Sequence, residues 1–198
     1  MIKILLLTFS IGSIMMHQAA AGSGGEGSDD SKKEMLQRGA WMVSLGGCND
    51  CHSPKIFVQM GPAVVPIPDT TKLLSGYPAH MVLPEIPQGV IAPDRWGALA
   101  TNDLTAWAGP WGVTFAFNLT PDVATGIGSW TEEIFIKAMR TGKHLGEGRD
   151  ILPPMPWPSL AQLSDDDLRA MFAYLMSLKP VENAVPDPRP PAEAPPTK

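Results

Sequence analysis

The sequence predicts a domain of three helices joined by long loops. Apolar residues recur at helical spacing in three stretches, and each stretch has a capping residue close to its start. The 21 prolines and 19 glycines among 198 residues place much of the remaining chain in loops. Residues 53–117 show no sustained period, so we interpret them as loops and short turns with room for one brief hairpin.

The chain begins with a segment typical of a secretory signal peptide, residues 1–21. Lys3 supplies the positive start, an apolar run follows, and Ala19 and Ala21 form a small-residue cleavage pattern. An uncleaved anchor is the alternative, but the apolar run is short for a span of about 20 residues. We expect cleavage, a Gly/Ser-rich acidic leader at 22–30, a periplasmic location and no stable membrane span in the mature chain.

The three predicted helices cover residues 31–45, 130–141 and 164–178. A hydroxyl residue at or next to each start can cap the helix, and acidic side chains occupy the first turn. Glycine follows the first two helices directly and ends them. These helices place the folded domain at 31–180, followed by a Pro-rich tail at 181–198.

Both cysteines lie in one motif, Cys48-Asn-Asp-Cys51-His52. This is the attachment pattern of a c-type haem, because two thiols at this spacing reach two vinyl groups while His52 directs its imidazole to the iron. A thioredoxin-like pair would require a βαβ pattern that is not visible, and a zinc site would have only His80 and His144 as further ligands. We therefore expect one covalent haem c, held by Cys48 and Cys51, with His52 on the iron.

The second axial ligand is predicted to be Met155. Most other methionines lie on apolar helix faces, where a methionine usually fills the core. Met155 instead lies among the prolines of residues 152–158, and a stiff loop lowers the entropy cost of holding a weak thioether ligand. His–Met ligation leaves no open site on the iron, so it favours electron transfer over catalysis. The alternative is an open distal site, as in a haem enzyme or gas-binding sensor.

Three stretches resemble the single-haem class I c-type cytochromes, particularly the periplasmic cytochrome c subunits associated with sugar and alcohol dehydrogenases. They are residues 38–55, 109–144 and 151–181, and they include NLTPD at 118–122 and PPMPW at 153–157. The resemblance implies an all-α class I cytochrome c fold around one covalent haem, with a loop-rich insertion between the first and second core helices. It also implies Met155 as the axial ligand.

Two finer contacts follow from the same resemblance. The first helix should cross the last close to Gly39, with Tyr174 or Leu175 against it. Pro62 should offer its carbonyl to the Nδ1 of His52, which would orient the ring and raise its basicity as a ligand.

The propionate groups of a haem require hydrogen-bond donors. Within the matched central block we expect Asn118 and Trp130 to bind the cofactor in this way. A core position is the alternative for Trp130, and for Arg140 and Lys143 a solvated position is favoured. In the middle region, three tryptophans cover the haem, form a partner surface or belong to the core; they are Trp96, Trp107 and Trp111.

Together these features predict an electron carrier or cytochrome subunit rather than an enzyme. Electrons would come from a dehydrogenase and pass to an oxidase or another cytochrome. The net charge of −5 argues against binding nucleic acid, and it fits docking to a basic patch on a redox partner. A haem-free thiol redox module remains a third possibility.

Overall fold

The computed structural model describes residues 26–191. The predicted signal peptide, the start of the leader and residues 192–198 of the predicted tail lie outside the described residues. The elements in chain order are α1 (Glu26–Leu45), α2 (Cys48–His52), β1 (Lys55–Met60), β2 (Ala63–Pro68), β3 (Leu99–Ala100), β4 (Ala106–Gly109), β5 (Gly112–Phe115), α3 (Glu132–Thr141), a 3₁₀ turn (His144–Gly146), α4 (Trp157–Leu160) and α5 (Asp165–Met176).

The all-α prediction is wrong. The described residues hold five α-helices and two small antiparallel sheets, so the fold is mixed α/β. Strands β1 and β2 form a hairpin, and β3, β4 and β5 form a three-stranded sheet. The strands are two to six residues long, and the hairpin strands show no alternation of buried and exposed positions. Such short strands give no period-2 signal, and only the allowance for a brief hairpin anticipated one of the two sheets.

The core forms where α1 and α3 pack against α5. At the crossing of α1 and α5, a Cβ on Gly39 would overlap the carbonyl oxygen of Ala170 and lie 2.7 Å from the Cβ of Tyr174. The expected contact between Gly39 and Tyr174 is therefore confirmed, because only a residue without a side chain permits this approach. On the other side of α5, the rings of Phe135 and Phe172 pack with their centroids 5.4 Å apart.

Most helix boundaries follow the predicted caps. The Thr131 side chain accepts a hydrogen bond from the backbone at the start of α3, and Ser164 does the same for α5. Helix α1 ends at Leu45 as expected, but it begins at Glu26, so Ser31 lies inside the helix rather than at its cap. The expected capping box is thus not the start of α1, because the helix continues into the acidic leader.

The described part of the predicted tail lies along the domain. The Asn183 side chain donates to the carbonyl oxygens of Ser75 and Tyr77, at 2.7 and 2.8 Å. Arg189 and Val113 exchange two backbone hydrogen bonds of 2.8 Å, which extends the edge of β5. These contacts attach the Pro-rich segment to the strands, although its prolines exclude a regular element of its own.

Candidate haem site

The C-x-x-C-H motif forms the one-turn helix α2. Gly47 adopts a left-handed conformation with φ of 63°, which separates α2 from the end of α1. The turn places Cys48, Cys51 and His52 on one short helix beside the core. The glycine pair predicted to end α1 therefore also sets the direction in which the motif leaves the helix.

Polar contacts hold α2 in place. The Lys55 ammonium donates to the backbone carbonyls of Asn49 and Asp50, at 2.9 Å each, and so satisfies carbonyls at the end of the turn. The Ser53 hydroxyl donates to the Asn49 side chain and accepts from the backbone N–H of Leu74, both at 2.8 Å. The motif is thus anchored to the chain that follows the β1–β2 hairpin.

His52 is buried and oriented by a backbone carbonyl. Its Nδ1 lies 2.7 Å from the carbonyl oxygen of Phe117, and with the proton on Nδ1 the Nε2 lone pair is available to a metal. Burial lowers the pKa of His52, which keeps the imidazole neutral. The expected partner Pro62 is wrong, because it lies at the exposed tip of the β1–β2 hairpin.

Gly76 permits the close approach of the segment that carries Phe117. Its φ is 82°, and a Cβ there would overlap the carbonyl oxygen of Ala116. The Gly76 N–H also donates to the carbonyl oxygen of His52, at 2.7 Å. Nothing in the local sequence marks the Phe117 carbonyl as the histidine partner, since every residue carries a carbonyl and the two residues are 65 positions apart.

The site encloses an apolar cavity of about 310 Å³. Helices α2 and α3, strands β4 and β5 and the segment from the 3₁₀ turn to α4 form its walls, and most lining side chains are apolar. Four predicted site residues line it, namely Cys51, His52, Trp130 and Met155. A deep apolar cavity with a few polar groups is the usual form of a cofactor site.

The other two predicted residues do not line this cavity. Cys48 packs half-buried against the hydrophobic core, one turn from Cys51. Asn118 is fully buried, and its side chain donates to the carbonyl oxygen of Val181 at 2.8 Å and accepts from the backbone of Thr120 at 3.0 Å. Asn118 therefore holds the chain directly after Phe117, rather than facing the cavity.

Two methionine side chains line the cavity. Met155 is half-buried in the proline loop, which is attached to β5 by a hydrogen bond of 2.8 Å from the Thr114 hydroxyl to the carbonyl of Pro153. Met139 also lines the cavity, but it belongs to the core cluster on α3. Met139 is thus part of the protein core, whereas Met155 is not a member of that buried cluster.

Of three further side chains that line the cavity, the sequence marked only Trp107, as one of three tryptophans that could cover a haem. Trp107 lines the cavity, whereas Trp96 is exposed and Trp111 packs on Gly109. Two further polar side chains on its wall, His144 and Arg149, come from the chain that follows α3. The aromatic and basic residue types were visible in the sequence, but no local pattern distinguished these positions from others of the same type.

Arg140 and Lys143, for which the sequence favoured a solvated position, form ion pairs away from the cavity. Arg140 donates to the carbonyl of Leu163 and forms an ion pair with Asp165, and Lys143 pairs with Asp150. Neither side chain lines the cavity. Both cations therefore pair with exposed carboxylates outside the cavity.

The two cysteines form no disulfide with each other and are poorly suited to disulfide exchange. Burial raises the pKa of Cys48 to about 11 and also raises that of Cys51. Thiols that act in redox exchange have a lowered pKa instead. The donor set consists of two neighbouring thiols, a buried neutral imidazole and a thioether. Together with the apolar cavity walls, this set fits a haem c.

Comparison with known proteins also indicates similarity to cytochrome c subunits, although no family model matches the chain. The chain is 47% identical over 81 residues to the cytochrome c subunit of alcohol dehydrogenase (quinone) from Gluconobacter oxydans, covering 39% of this chain and 17% of that protein. It is 42% identical over 152 residues to a nicotinate dehydrogenase subunit from Pseudomonas putida, covering 77% of this chain and 9% of that protein.

A third relative is the gluconate 2-dehydrogenase cytochrome c subunit from Pantoea cypripedii. It is 30% identical over 157 residues, which cover 79% of this chain and 26% of that protein. The chain therefore spans about a quarter or less of the length of these three relatives. The resemblance found in the sequence is confirmed: this chain is similar to the cytochrome c subunits of dehydrogenases.

Proposed function

We propose that this chain is a single-haem cytochrome that carries one electron at a time for a dehydrogenase. The observation that carries the proposal is His52, whose Nδ1 is bound by the Phe117 carbonyl on the wall of an apolar cavity that Cys51 and Met155 also line. This arrangement suits an axial imidazole, and relatives named as cytochrome c subunits support it.

Each residue of the motif has a separate role in this proposal. The Cys48 and Cys51 thiols would hold the haem covalently by addition to its two vinyl groups, which needs no oxidant because sulfur joins one carbon and hydrogen the other. The Nε2 of His52 and the thioether of Met155 would be the protein ligands of the iron. When bound, the haem supplies ferrous–ferric redox chemistry, and the apolar walls exclude water from it.

Mass spectrometry of the denatured protein tests covalent attachment. The chain is produced with its signal segment in a host that matures c-type cytochromes, and we expect the mass of the polypeptide plus one haem. A Cys48→Ala/Cys51→Ala variant is the control and should show the polypeptide mass alone. Wild-type protein without added mass would contradict the proposal and favour a haem-free thiol module.

Optical spectra of two methionine variants test the sixth ligand. Ferric wild-type protein should show the sulfur-to-iron charge-transfer band at the red end of the visible spectrum. Met155→Ala should lose this band and bind carbon monoxide when reduced, whereas Met139→Leu should keep it. Loss in the Met139 variant alone would transfer the ligand role to α3. A wild-type protein that lacks the band and binds carbon monoxide rapidly would favour an enzyme or gas-binding sensor.

We further propose that the chain is exported and docks through its acidic surface. Cleavage after residue 21 would remove Lys3 and change the formal net charge from −5 to −6. No helix within residues 26–191 is long and apolar enough to cross a membrane. The donor would be a periplasmic dehydrogenase, and the acceptor an oxidase or another cytochrome.

Two measurements test this part. Cell fractionation should find the haem-loaded protein in the periplasm, and its recovery from the cytoplasm would contradict export. Reduction by the partner dehydrogenase should slow as ionic strength rises, because salt screens the attraction between an acidic cytochrome and a basic patch. A rate that is independent of salt would contradict electrostatic docking.

A further inference from the structure

One buried nitrogen on the cavity wall has no partner. Among the described residues, buried side-chain polar atoms without a hydrogen bond are confined to the Nε2 of His144 and the Nε1 of Trp111. His144 lines the cavity, whereas Trp111 does not. Because a buried polar atom is costly to leave unpaired, the His144 Nε2 indicates a ligand group that completes its hydrogen bonding.

The His144 ring is held in a defined position. It meets Phe117 and Trp130 edge to face, with ring centroids 5.2 and 5.3 Å apart, respectively. Its backbone N–H donates to the carbonyl oxygen of Arg149 at 2.8 Å, which joins the two residues across a short loop. Because two aromatic side chains pack against the ring, its orientation is fixed before a partner binds the Nε2.

Arg149 lies beside His144 and has no anionic partner. Within residues 26–191 its guanidinium forms no ion pair, and it makes one long hydrogen bond of 3.4 Å to the carbonyl of Asp150. Burial lowers the pKa of His144; the charge of Arg149 adds to this effect, and Asp187 opposes it. With the proton of a neutral His144 on Nε2, this N–H and the Arg149 guanidinium are both donors, and together they favour a carboxylate over a metal cation.

We propose that His144 and Arg149 form the carboxylate-binding end of the cavity and bind the propionate groups of the haem. The inference rests on the proposed function, because haem supplies the two carboxylates that an otherwise apolar cavity must accommodate. The Trp130 ring packs edge to face against His144 and lines the same cavity. His144 acts through the propionates as a positioning residue and is not an iron ligand.

Two neutral substitutions of His144 isolate its hydrogen bond. His144→Phe removes the donor, and His144→Gln keeps an N–H donor without a charge that titrates. At pH 7 and fixed potential, we expect His144→Phe to shift the ratio of ferric to ferrous protein upward by about fivefold, because a propionate without its donor is less neutralised. His144→Gln should stay within about twofold of wild type.

The pH dependence of the reduction potential tests Arg149. In a His144→Gln background, where no imidazole titrates at this position, Arg149→Leu should raise the propionate pKa and make the potential rise as pH falls from roughly 7 to 5. Arg149→Lys should restore a flat profile. Lys143→Leu is the matched control, since it removes a neighbouring cation that pairs with Asp150 and does not line the cavity.

Each outcome has a distinct meaning. If wild-type protein carries haem with the sulfur band, but His144→Phe and Arg149→Leu leave the potential and its pH profile unchanged, this inference alone is overturned. If His144→Phe loses a ligand of the iron while Met155→Ala keeps the wild-type spectrum, His144 is itself the ligand and this inference is also overturned. If His144→Phe fails to mature, the Arg149 series still decides. Absence of haem from wild-type protein would instead remove the proposed function itself.

Discussion

The helices and the β1–β2 hairpin use apolar residues in opposite ways. In the helices, side chains such as Leu168 and Leu175 are fully buried against one another. In the hairpin, Phe57 and Val64 are 51% and 58% exposed, and neither strand has a side that is buried. An apolar sequence therefore marks the core only where a second element covers it, and the hairpin has no such cover among the described residues.

The two sheets also differ in their relation to the site. Strands β4 and β5 contribute Trp107, Thr114 and Phe115 to the cavity wall, so the three-stranded sheet is part of the candidate site. The hairpin contributes none of the residues that line this cavity. We expect substitutions in the helical core to change stability most, and substitutions on the hairpin to change it least.

The largest effect is expected at the crossing of α1 and α5. Gly39→Ala would place a methyl group on the backbone of Ala170, which cannot move without separating the helices, and we expect a loss of about 4 kcal/mol or more. Gly97→Ala is the control, because nothing lies within 4 Å of a Cβ there and its φ is not in the left-handed region. Urea unfolding of the haem-loaded proteins measures both; similar midpoints would show that the crossing adapts.

A comparison of two large apolar residues measures the contrast directly. Leu168→Ala should destabilise the protein by about 2–5 kcal/mol, because it opens a cavity in a fully buried site. Phe57→Ala on the hairpin should change the free energy of unfolding by no more than about 0.5 kcal/mol. A large loss at Phe57 would indicate that a second molecule or an undescribed segment covers the hairpin.

Asn183 tests whether the Pro-rich segment belongs to the domain. Asn183→Ala removes hydrogen bonds to the carbonyls of Ser75 and Tyr77 and should cost about 1–3 kcal/mol, since partly buried groups lose their partner. The exposed neighbour Glu182 supplies a control as Glu182→Ala. Thermal unfolding measures both, and equal transition temperatures would mean that this segment detaches before the domain unfolds.

The smallest effect is the pH dependence of the ion pair between α1 and α5. A hydrogen bond from Arg38 lowers the pKa of Asp167, so the pair stabilises the fold above the ordinary aspartate pKa and is lost as pH falls through the lowered value. Unfolding measured from about pH 6 down to about pH 2 should therefore show a shallower acid loss in Arg38→Gln. Identical pH profiles would show that screening by solvent cancels the pair.

Local features of the sequence determined much of the helical half. The cysteine–histidine motif, the glycines that end α1 and α3, the hydroxyl caps of α3 and α5 and the proline loop around Met155 each depend on a few adjacent residues. Gly39 could also be placed, because the resemblance supplied its partner helix. The structure confirms the caps of α3 and α5 and the glycines that end α1 and α3, because neighbouring residues contain the physical cause of a cap.

Only the tertiary structure decided which distant groups meet. The carbonyl of Phe117, rather than that of Pro62, binds His52, because β1 and β2 carry Pro62 outward to a hairpin tip. Asn118 holds the backbone instead of lining the cavity, and His144 reaches the wall with an unpaired nitrogen. Such pairings join residues far apart in sequence through backbone groups and short strands, which leave no residue-type or periodic signal in the chain.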